Sequence, residues 1–395
     1  MKCYERCERG TGDAAVRAET SEFSPYARTV VVQPTPLCNL RCIYCYLPDL
    51  GDRRRMDPAI LRLLAADIVT YPPNRMVEIR WHGGEPLTVG VDCFAQLLEP
   101  LEDLRRQGGV RHSLQTNATL VTAEWCELLL RYDFEVGVSI DGPRWANGQR
   151  RTLSGAETFA RVMLGIDQLR AYRVPFSVIA VVSLDSIPMI AERASEYLGF
   201  FRSIGALDMG FNVEETEGRH RVRVAEPGEI RAFWTAVLRA WLEAGGVPPV
   251  REFTRVLTFA EASLNGLWRT GRSDLLPTVT CEGDVVLLSP ELAGYSDDRY
   301  GDFVVGNLRD EPLSAILRRG RTAHYVREFL AGTDVCRATC RYFDYCGGGQ
   351  AGNRYFEHDD FVRNETAFCR NSIQVPFDVV LDLPDERARK VGENA

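Results

Sequence analysis

The chain has 395 residues, of which 45% are apolar and 26% are charged, and its formal net charge is -8. This composition is ordinary for a globular protein, and the acidic balance argues against a nucleic-acid-binding protein, whose footprint would be basic. The sequence contains no run of about 18 apolar residues, so no membrane span is expected. The polar N-terminus has no apolar segment of the secretory type, and we therefore expect a cytoplasmic protein.

The length exceeds the roughly 250–300 residues at which single cores stop growing, so a large domain and a smaller one are expected. Six strands are predicted, at 29–33, 76–81, 112–116, 135–140, 176–183 and 207–213. Helices are predicted between them, at 57–70, 93–106, 123–131, 156–171 and 188–204. This alternation indicates an α/β fold with a parallel sheet. We expect a partial (β/α)6 TIM-like barrel over residues 29–218, with an open sheet as the alternative.

The rest of the chain divides into a polar segment at 1–28, a connector at 219–276, a thiol-rich domain at 277–381 and a charged tail at 382–395. Helices are predicted at 227–244 and 251–268 within the connector, and a strand-like stretch at 278–289 opens the thiol-rich domain. Because that domain lacks a continuous apolar core, we expect a metal to stabilise it.

Twelve cysteines are many for a reducing compartment, where clustered thiols indicate metal rather than disulfides. Cys38, Cys42 and Cys45 follow the first predicted strand with the spacing C-x3-C-x2-C. Three thiolates on one loop can hold three irons of a 4Fe-4S cluster. The fourth iron can then bind S-adenosylmethionine (SAM), which an electron from the cluster would cleave to methionine and a 5′-deoxyadenosyl radical. Zinc is the alternative, but it prefers four protein ligands.

Four further cysteines lie near the C-terminus: Cys336, Cys340, Cys346 and Cys369. Four thiolates can fully ligate a second 4Fe-4S cluster, and the glycines after Cys346 would let backbone N–H groups reach its sulfurs. Four thiolates also suit a closed structural zinc site. The residues alone leave both interpretations open.

With its Tyr44, the first cysteine loop resembles the signature of the radical SAM superfamily. Segments at the ends of successive predicted strands resemble its SAM-binding motifs: Gly83-Gly84-Glu85-Pro86, Gln115-Thr116-Asn117, Ser139-Ile140-Asp141-Gly142-Pro143, Arg151 and Gly210-Phe211-Asn212. The resemblance implies that the first motif meets the SAM amino group and that the Ser139–Pro143 segment lies at the ribose. It also implies that Arg151 meets the carboxylate and Phe211 the adenine. Singly, each could be an ordinary turn, strand end or surface charge; their order along one barrel favours cofactor binding.

The C-terminal cysteines resemble a SPASM domain, the auxiliary-cluster domain of many peptide-modifying radical SAM enzymes. A full SPASM domain holds two auxiliary clusters. The resemblance implies that the ligand set of the second is complete here, as Cys336, Cys340, Cys346 and Cys369, whereas Gln350 stands where the set of the first has a cysteine. We therefore predict two 4Fe-4S clusters in all, one that binds SAM and one auxiliary cluster. Cys281 is expected to be a buried or free thiol, and Cys93 and Cys126 are expected in the core.

From about Val30 to Cys369, segments such as VVQPTPLCNLRCIYCYLPD, WHGGEPL and CRATCRYFDYCGGGQAGNRYFE resemble the cyclophane-forming SPASM peptide maturases of the GrrM type. The resemblance implies a precursor-peptide substrate, a carbon–carbon crosslink from an aromatic ring to a nearby side-chain carbon, and an electron donor such as flavodoxin or ferredoxin. Glu214, Glu215 and Glu291 are candidates for the base that accepts the ring proton, and none is preferred.

Other SPASM chemistry is the alternative: formylglycine-type oxidation, thioether formation or small-molecule dehydrogenation. A non-catalytic, zinc-stapled α/β binding protein is a further hypothesis from another class. Residues 1–28 are too few for the winged-helix module with which many relatives grip a leader peptide. We therefore expect recognition by the barrel mouth, by the helices at 218–268 or by a separate partner.

Overall fold

The computed structural model describes residues 24–268 and 275–383. The predicted polar segment up to residue 23, with Cys3 and Cys7, and the predicted tail from residue 384 lie outside the described residues. Across the described ranges, every helix is too short or too polar to cross a membrane.

One sheet runs through the described molecule. Its strands are β1 (Thr29–Val32), β2 (Val77–Trp81), β3 (Val110–Thr116), β4 (Glu135–Ser139), β5 (Phe176–Val182), β6 (Met209–Val213), β7 (Thr278–Val279), β8 (Asp284–Val286) and β9 (Val304–Asn307). Their order is β6-β5-β4-β3-β2-β1-β7-β8-β9. Strands β1 to β7 pair in parallel, whereas β8 and β9 are antiparallel to their neighbours.

The described residues form fourteen α-helices, and those of the first half of the chain alternate with the parallel strands. They are α1 (Pro58–Ile68), α2 (Val91–Leu98), α3 (Glu102–Arg106), α4 (Ala123–Arg131), α5 (Phe159–Ala171), α6 (Ile187–Glu192), α7 (Ala194–Ile204), α8 (Pro227–Glu243), α9 (Arg251–Leu264), α10 (Leu313–Gly320), α11 (His324–Thr339), α12 (Phe343–Cys346), α13 (Ala351–His358) and α14 (Val375–Leu381). β6 lies at the edge of the sheet, where Met209 forms one isolated bridge with Val250. The predicted partial barrel of alternating strands and helices is therefore confirmed.

Burial alternates along the strands and defines two faces. Residues such as Leu114 and Val138 are buried against the helices, as the apolar runs require. Between them, Gln115 and Ser139 are only partly buried and face the opposite, concave side. The polar ends of the strands thus open on one concavity at the carboxyl edge of the sheet.

Two predicted helices are interrupted. The helix predicted at 93–106 is split into α2 and α3 by a 3-10 turn at Glu99–Leu101, since Pro100 has no N–H donor for a continuing helix. The helix predicted at 188–204 is split into α6 and α7 at Arg193, whose φ of -113° and ψ of 32° are not helical. The guanidinium of Arg193 pairs with Glu196 and lies 4.6 Å from the ring of Trp145.

The C-terminal part is joined to the barrel more closely than the predicted boundary at residue 277 suggests. β7 pairs with β1, and the single predicted strand-like stretch is a hairpin of β7 and β8. At the start of α10, the N–H and hydroxyl of Ser314 donate to the buried carboxylate of Asp67 in α1, at 2.9 and 2.7 Å. A shared sheet and a buried polar contact therefore hold the two parts together.

A helix-interior glycine tests the packing of α5. A Cβ on Gly165 would lie 1.9 Å from the carbonyl oxygen of Ala118, whereas a Cβ on exposed Gly199 in α7 would meet nothing within 4 Å. Gly165→Ala is therefore expected to lower the free energy of unfolding by about 2 kcal/mol through overpacking. The matched variant Gly199→Ala should raise it by up to about 1 kcal/mol through helix propensity. Urea denaturation followed by circular dichroism measures both, and equal effects would contradict the close approach.

Candidate functional site

The loop after β1 carries Cys38, Cys42 and Cys45, and main-chain hydrogen bonds fix it. The N–H of Cys38 donates to the carbonyl of Leu50, and the N–H of Cys45 donates to that of Cys42, both at 3.1 Å. Burial raises the pKa of Cys38 to about 12 and that of Cys42 to about 11, and neighbouring cysteines add to the effect. These thiols need a cation to ionise, and bound iron supplies one. The donor set therefore fits an iron–sulfur cluster.

A second main-chain segment lines the outer edge of this loop. The N–H of Arg41 donates to the carbonyl of Arg151 (2.7 Å), and the N–H of Ile43 donates to that of Gln149 (3.0 Å). The N–H of Arg151 in turn donates to the thiol of Cys42. Arg151 therefore supports the cysteine loop through its main chain, and a role for its side chain at the SAM carboxylate stays a prediction.

Asp141 lies just after β4 and is 1% exposed. Its carboxylate accepts hydrogen bonds from the hydroxyl of Tyr44 (2.7 Å), the guanidinium of Arg150 (3.0 Å) and the N–H of Val181 in β5 (3.0 Å). The Arg150 guanidinium lies 5.6 Å from the centre of the Tyr44 ring. Since both carboxylate oxygens are engaged, Asp141 anchors the cysteine loop to β4 and β5, and its predicted contact with SAM stays untested.

Sequence reasoning missed Arg150. It is 5% exposed and forms a buried ion pair with Asp141 at 2.9 Å, whereas its neighbour Arg151 is partly exposed. A linear motif cannot decide which of two adjacent arginines points inward. The available signal was Asp141, which lies nine residues before Arg150 and can pair with its charge.

The glycine motif after β2 packs against the start of the cysteine loop. Gly84 has a φ of 61°, and a Cβ there would lie 2.6 Å from the carbonyl oxygens of Thr35 and Leu37. Gly83 has a φ of 92°, and its Cβ would lie 2.7 Å from the side chain of Gln33. Both the backbone conformation and the close approach require glycine.

Glu85 and Asn117 link the next two strand ends to the same loop. The buried carboxylate of Glu85 accepts from the hydroxyl of Thr116 and the N–H of Asn117, both at 2.7 Å. Burial raises the pKa of Glu85 to about 7. The amide of Asn117 donates to Asn39, between the first two cysteines, at 2.9 Å. A carboxylate in such surroundings suits a cationic neighbour such as an amino group.

Ser139 and Phe211 lie on opposite faces of the sheet. The hydroxyl of Ser139 accepts from the amide of Gln115 at 2.7 Å on the concave face. Phe211 is 0% exposed, and its ring packs 5.5 Å from that of Tyr197 and 6.4 Å from that of Trp234. Strand alternation turns the side chain of Phe211 toward the helices. A contact of this residue with adenine would therefore have to use its main chain, and that contact stays a prediction.

The four C-terminal cysteines line one cavity of about 210 Å3. Cys336 lies in α11, Cys340 just after it, Cys346 at the end of α12 and Cys369 at the start of a π-helical turn. The N–H groups of Gly348 and Gly349 donate to the thiol of Cys346. Burial and the neighbouring thiol of Cys369 raise the pKa of Cys346. Four thiols, backbone donors and a common cavity fit a 4Fe-4S cluster.

Arg354, which the sequence analysis did not single out, lies beside these thiols and is 1% exposed. Its guanidinium donates to the thiol of Cys336 at 3.6 Å and to the carbonyls of Phe329 and Phe361 at 3.3 and 2.9 Å. Among the described residues no carboxylate forms an ion pair with it. Its positive charge therefore faces the cysteines, which suits the negative charge of a four-thiolate cluster.

Of the three candidate bases, Glu214 is already engaged. It lies at the end of β6, where its carboxylate contacts the ring of His220 at 2.9 Å and accepts the N–H of Leu184 at 3.0 Å. Glu215 and Glu291 instead face two glutamates that the sequence analysis overlooked, Glu217 and Glu357. The acidic run after β6 was the signal for the first of these.

The remaining cysteines and Gln350 lie away from these contacts. Cys281 is 6% exposed in the turn between β7 and β8, and burial raises its pKa to about 11. Cys126 is 0% exposed, as expected for a core residue. Cys93 is only partly buried and accepts a hydrogen bond from Arg55, because α2 turns it toward the surface. Gln350 is the N-cap residue of α13.

Comparisons with known proteins agree with this geometry. Residues 32–190 match the radical SAM superfamily. An uncharacterized protein of Synechocystis sp. is 31% identical over 381 residues, which cover 93% of this chain and 94% of that protein. A cysteine-type anaerobic sulfatase-maturating enzyme of Clostridium perfringens strain 13 is 24% identical over 336 residues, covering 79% of this chain and 85% of the enzyme.

Solved structures show the same fold. The structure of anSMEcpe with bound AdoMet and Cp18Cys peptide is 22% identical with a TM-score of 0.72, covering 93% of this chain and 99% of that chain. Streptococcus suis SuiB bound to S-adenosylmethionine is 16% identical with a TM-score of 0.59, covering 87% of this chain and 77% of that chain. The chain belongs to the radical SAM superfamily. It is therefore an enzyme of radical redox chemistry, and membership implies SAM and a 4Fe-4S cluster as its cofactors.

The Asp141 anchor predicts a sharp stability effect. Asp141→Asn leaves the buried Arg150 guanidinium without its anionic partner, and the free energy of unfolding should fall by about 3–5 kcal/mol. The matched control Glu157→Gln breaks an exposed ion pair with Arg144, whose side chains are 63% and 55% exposed, and should cost at most about 1 kcal/mol. Urea denaturation of the two variants measures the difference. A loss for Asp141→Asn no larger than for the control would mean that the buried pair does not hold the loop.

Proposed function

We propose that this enzyme cleaves SAM and modifies a ribosomally made precursor peptide by a radical carbon–carbon crosslink. The observation that supports this most is a group of carboxylates near enough to both cysteine groups to act on them. Burial, with a contribution from Glu217, raises the pKa of Cys45 against the opposing charges of Arg150 and Arg41, and Cys369 is among the groups that raise the pKa of Glu215. A substrate between the two thiol groups would meet carboxylates on its way from one to the other.

The first cysteine loop, with Cys38, Cys42 and Cys45, would hold the SAM-binding cluster. When bound, that cluster and SAM supply a 5′-deoxyadenosyl radical. The chain itself would position the cofactors and exclude water. Asp141 fixes the cysteine loop, and the buried carboxyl group of Glu85 suits the SAM amino group. Gln115 and Ser139 line the concave face on which the peptide would lie.

Crosslinking requires a balanced oxidation. A side-chain carbon of the peptide would lose a hydrogen atom to the deoxyadenosyl radical and would then add to a neighbouring aromatic ring. Loss of one electron and one proton would restore aromaticity. Cys336, Cys340, Cys346 and Cys369 would hold the auxiliary cluster, whose oxidised form would supply the one-electron acceptor. Glu215, Glu217 or Glu291 takes the proton, because burial raises the pKa of each above its ordinary value.

A second function, formylglycine-type oxidation of a peptide serine or cysteine, is favoured by the similarity to anaerobic sulfatase-maturating enzymes. The serine-type enzyme of Bacteroides thetaiotaomicron is 29% identical over 227 residues, covering 53% of this chain and 54% of the enzyme. Both functions use a peptide, a low-potential electron donor such as flavodoxin or ferredoxin, and the same two thiol groups. They differ in the atoms that the peptide loses.

Metal content tests the cofactor assignment. Anaerobic reconstitution should give a brown protein with about 8 irons, as two 4Fe-4S clusters, that forms 5′-deoxyadenosine from SAM with dithionite. The variant Cys340→Ser/Cys346→Ser should lose about half of the iron and keep this cleavage, whereas Cys38→Ser/Cys42→Ser/Cys45→Ser should lose it. Cys93→Ser serves as the control and should retain all iron. A colourless zinc protein would refute the assignment.

The product distinguishes the two peptide functions. When the enzyme is co-expressed with a short precursor encoded beside it, mass spectrometry should find a peptide that has lost two hydrogens. Fragmentation should show a closed ring between an aromatic residue and a nearby residue, with no sulfur link. A carbonyl at a serine or cysteine position would instead favour the sulfatase-maturase type of oxidation.

A further inference from the structure

Four part-buried glutamates beyond the carboxyl edge of the sheet lie near enough for their charges to act on one another, and we name this group the acidic chamber: Glu215, Glu217, Glu291 and Glu357. Glu215 and Glu217 follow β6, Glu291 follows β8, and Glu357 lies in α13. They come from three separate segments, so the sequence does not reveal the cluster. The chamber holds more carboxylates than the transfer of one proton requires.

The acidic chamber also contains polar atoms without partners. Asn353 is 0% exposed and donates through its amide nitrogen to Glu217 at 3.2 Å, while its amide oxygen has no partner among the described residues. One carboxylate oxygen of Glu215 is likewise buried and unpartnered in the described part of the chain. A fully buried amide oxygen and a free carboxylate oxygen are both acceptors, so the group that satisfies them must be a donor.

The charges around the acidic chamber indicate what kind of donor this group is. Within the described ranges, none of the four carboxylates forms an ion pair with Lys, Arg or His. Glu357 is held by the N–H of Ala367 at 2.7 and 2.9 Å, and Glu291 by the hydroxyl of Ser289. Both partners are neutral. His358 and Arg370 counteract the rise in the pKa of Glu357, but the charged groups that act on Glu215 and Glu217 are acidic. Confining those two carboxylates without a cation beside them is costly, because each disfavours the charge of the next.

The walls of the acidic chamber favour an organic cation over a metal ion. Tyr46 follows the last cysteine of the first loop and is near enough to Glu291 and Glu217 for their charges to act on it. Its carbonyl accepts a hydrogen bond from Tyr295, whose ring packs 5.0 Å from that of Phe356. Aromatic rings beside carboxylates suit a cation carried on an apolar stem, such as a lysine or arginine side chain.

We propose that the acidic chamber binds the cationic side chain of a lysine or arginine in the substrate peptide and so sets which neighbouring residue faces the radical. This inference rests on the proposed function, since it takes the region between the two thiol groups as the peptide site. It narrows the substrate class to peptides with a basic residue close to the modified position.

Paired peptides test the proposal with the reconstituted holoenzyme. The probes are two fluorescein-labelled synthetic peptides of glycine, serine and one tryptophan that differ at one position, lysine in one and norleucine in the other. Fluorescence anisotropy under anaerobic conditions with SAM should show that the lysine peptide binds at least about tenfold more tightly, as expected for a buried charge pair. Glu217→Gln, which keeps a hydrogen-bond acceptor for Asn353, should reduce this ratio to nearly one.

Controls distinguish a failure of this inference from a failure of the proposed function. Glu261→Gln removes an exposed carboxylate of α9 and should leave the ratio unchanged. Equal binding of both peptides to an enzyme that still forms 5′-deoxyadenosine would overturn this inference alone, whereas absence of SAM cleavage would overturn the proposed function. A titration with Mg2+ or Ca2+ supplies the last comparison. Tight binding of the metal alone, lost in Glu217→Gln and without peptide discrimination, would make the chamber a metal site and refute the proposal.

Discussion

The buried carboxylate of Asp141 is the constraint on which the geometry of the first cysteine loop depends. The two oxygen atoms of this carboxylate join three separate pieces of chain: Tyr44 in the loop, Arg150 in the segment beside it and the main chain of β5. In a poorly solvated site such contacts strengthen each other, and none can be removed without exposing an unpaired buried group. The positions of the thiols are thereby tied to the sheet rather than to the loop's own preferences, which explains how an irregular loop can present three ligands in a fixed arrangement.

The sequence predicts the barrel well because its signal is repeated. Six apolar runs of period two separated by amphipathic runs allow the strands to be located to within a few residues, whereas the Gly-, Asp- and Cys-rich C-terminal part has too little periodicity to predict α10 to α14. The sequence indicates which segments form the candidate site, but not which way their side chains point. Whether Arg150 or Arg151 points inward, and whether Phe211 faces the concavity or the helices, depends on strand parity that only tertiary packing fixes. The acidic chamber could not be foreseen, since its members lie far apart in sequence.

The two thiol groups differ in the buried charges beside them. Near the first loop, the buried charge of Arg150 is neutralised by Asp141, the carboxylates of Glu85 and Glu217 add negative charge, and Arg41 adds positive charge. Near the second group, the buried guanidinium of Arg354 has no carboxylate partner in the described part of the chain and faces the thiols directly. Net charge sets cluster potential, and a nearby cation favours the state that has gained an electron. For the proposed function, a cluster held by the C-terminal thiols beside Arg354 would thereby be favoured as the electron acceptor that an oxidative crosslink requires.

The same reasoning connects substrate binding to proton transfer in the acidic chamber. Burial and mutual repulsion hold the pKa values of Glu215 and Glu217 well above their ordinary range. A lysine or arginine side chain among them would lower those pKa values, because an opposite charge favours the ionised form. Arrival of the peptide would therefore favour the ionised carboxylate, which is the form that can accept the ring proton. Recognition and basicity would thus be two consequences of one charge.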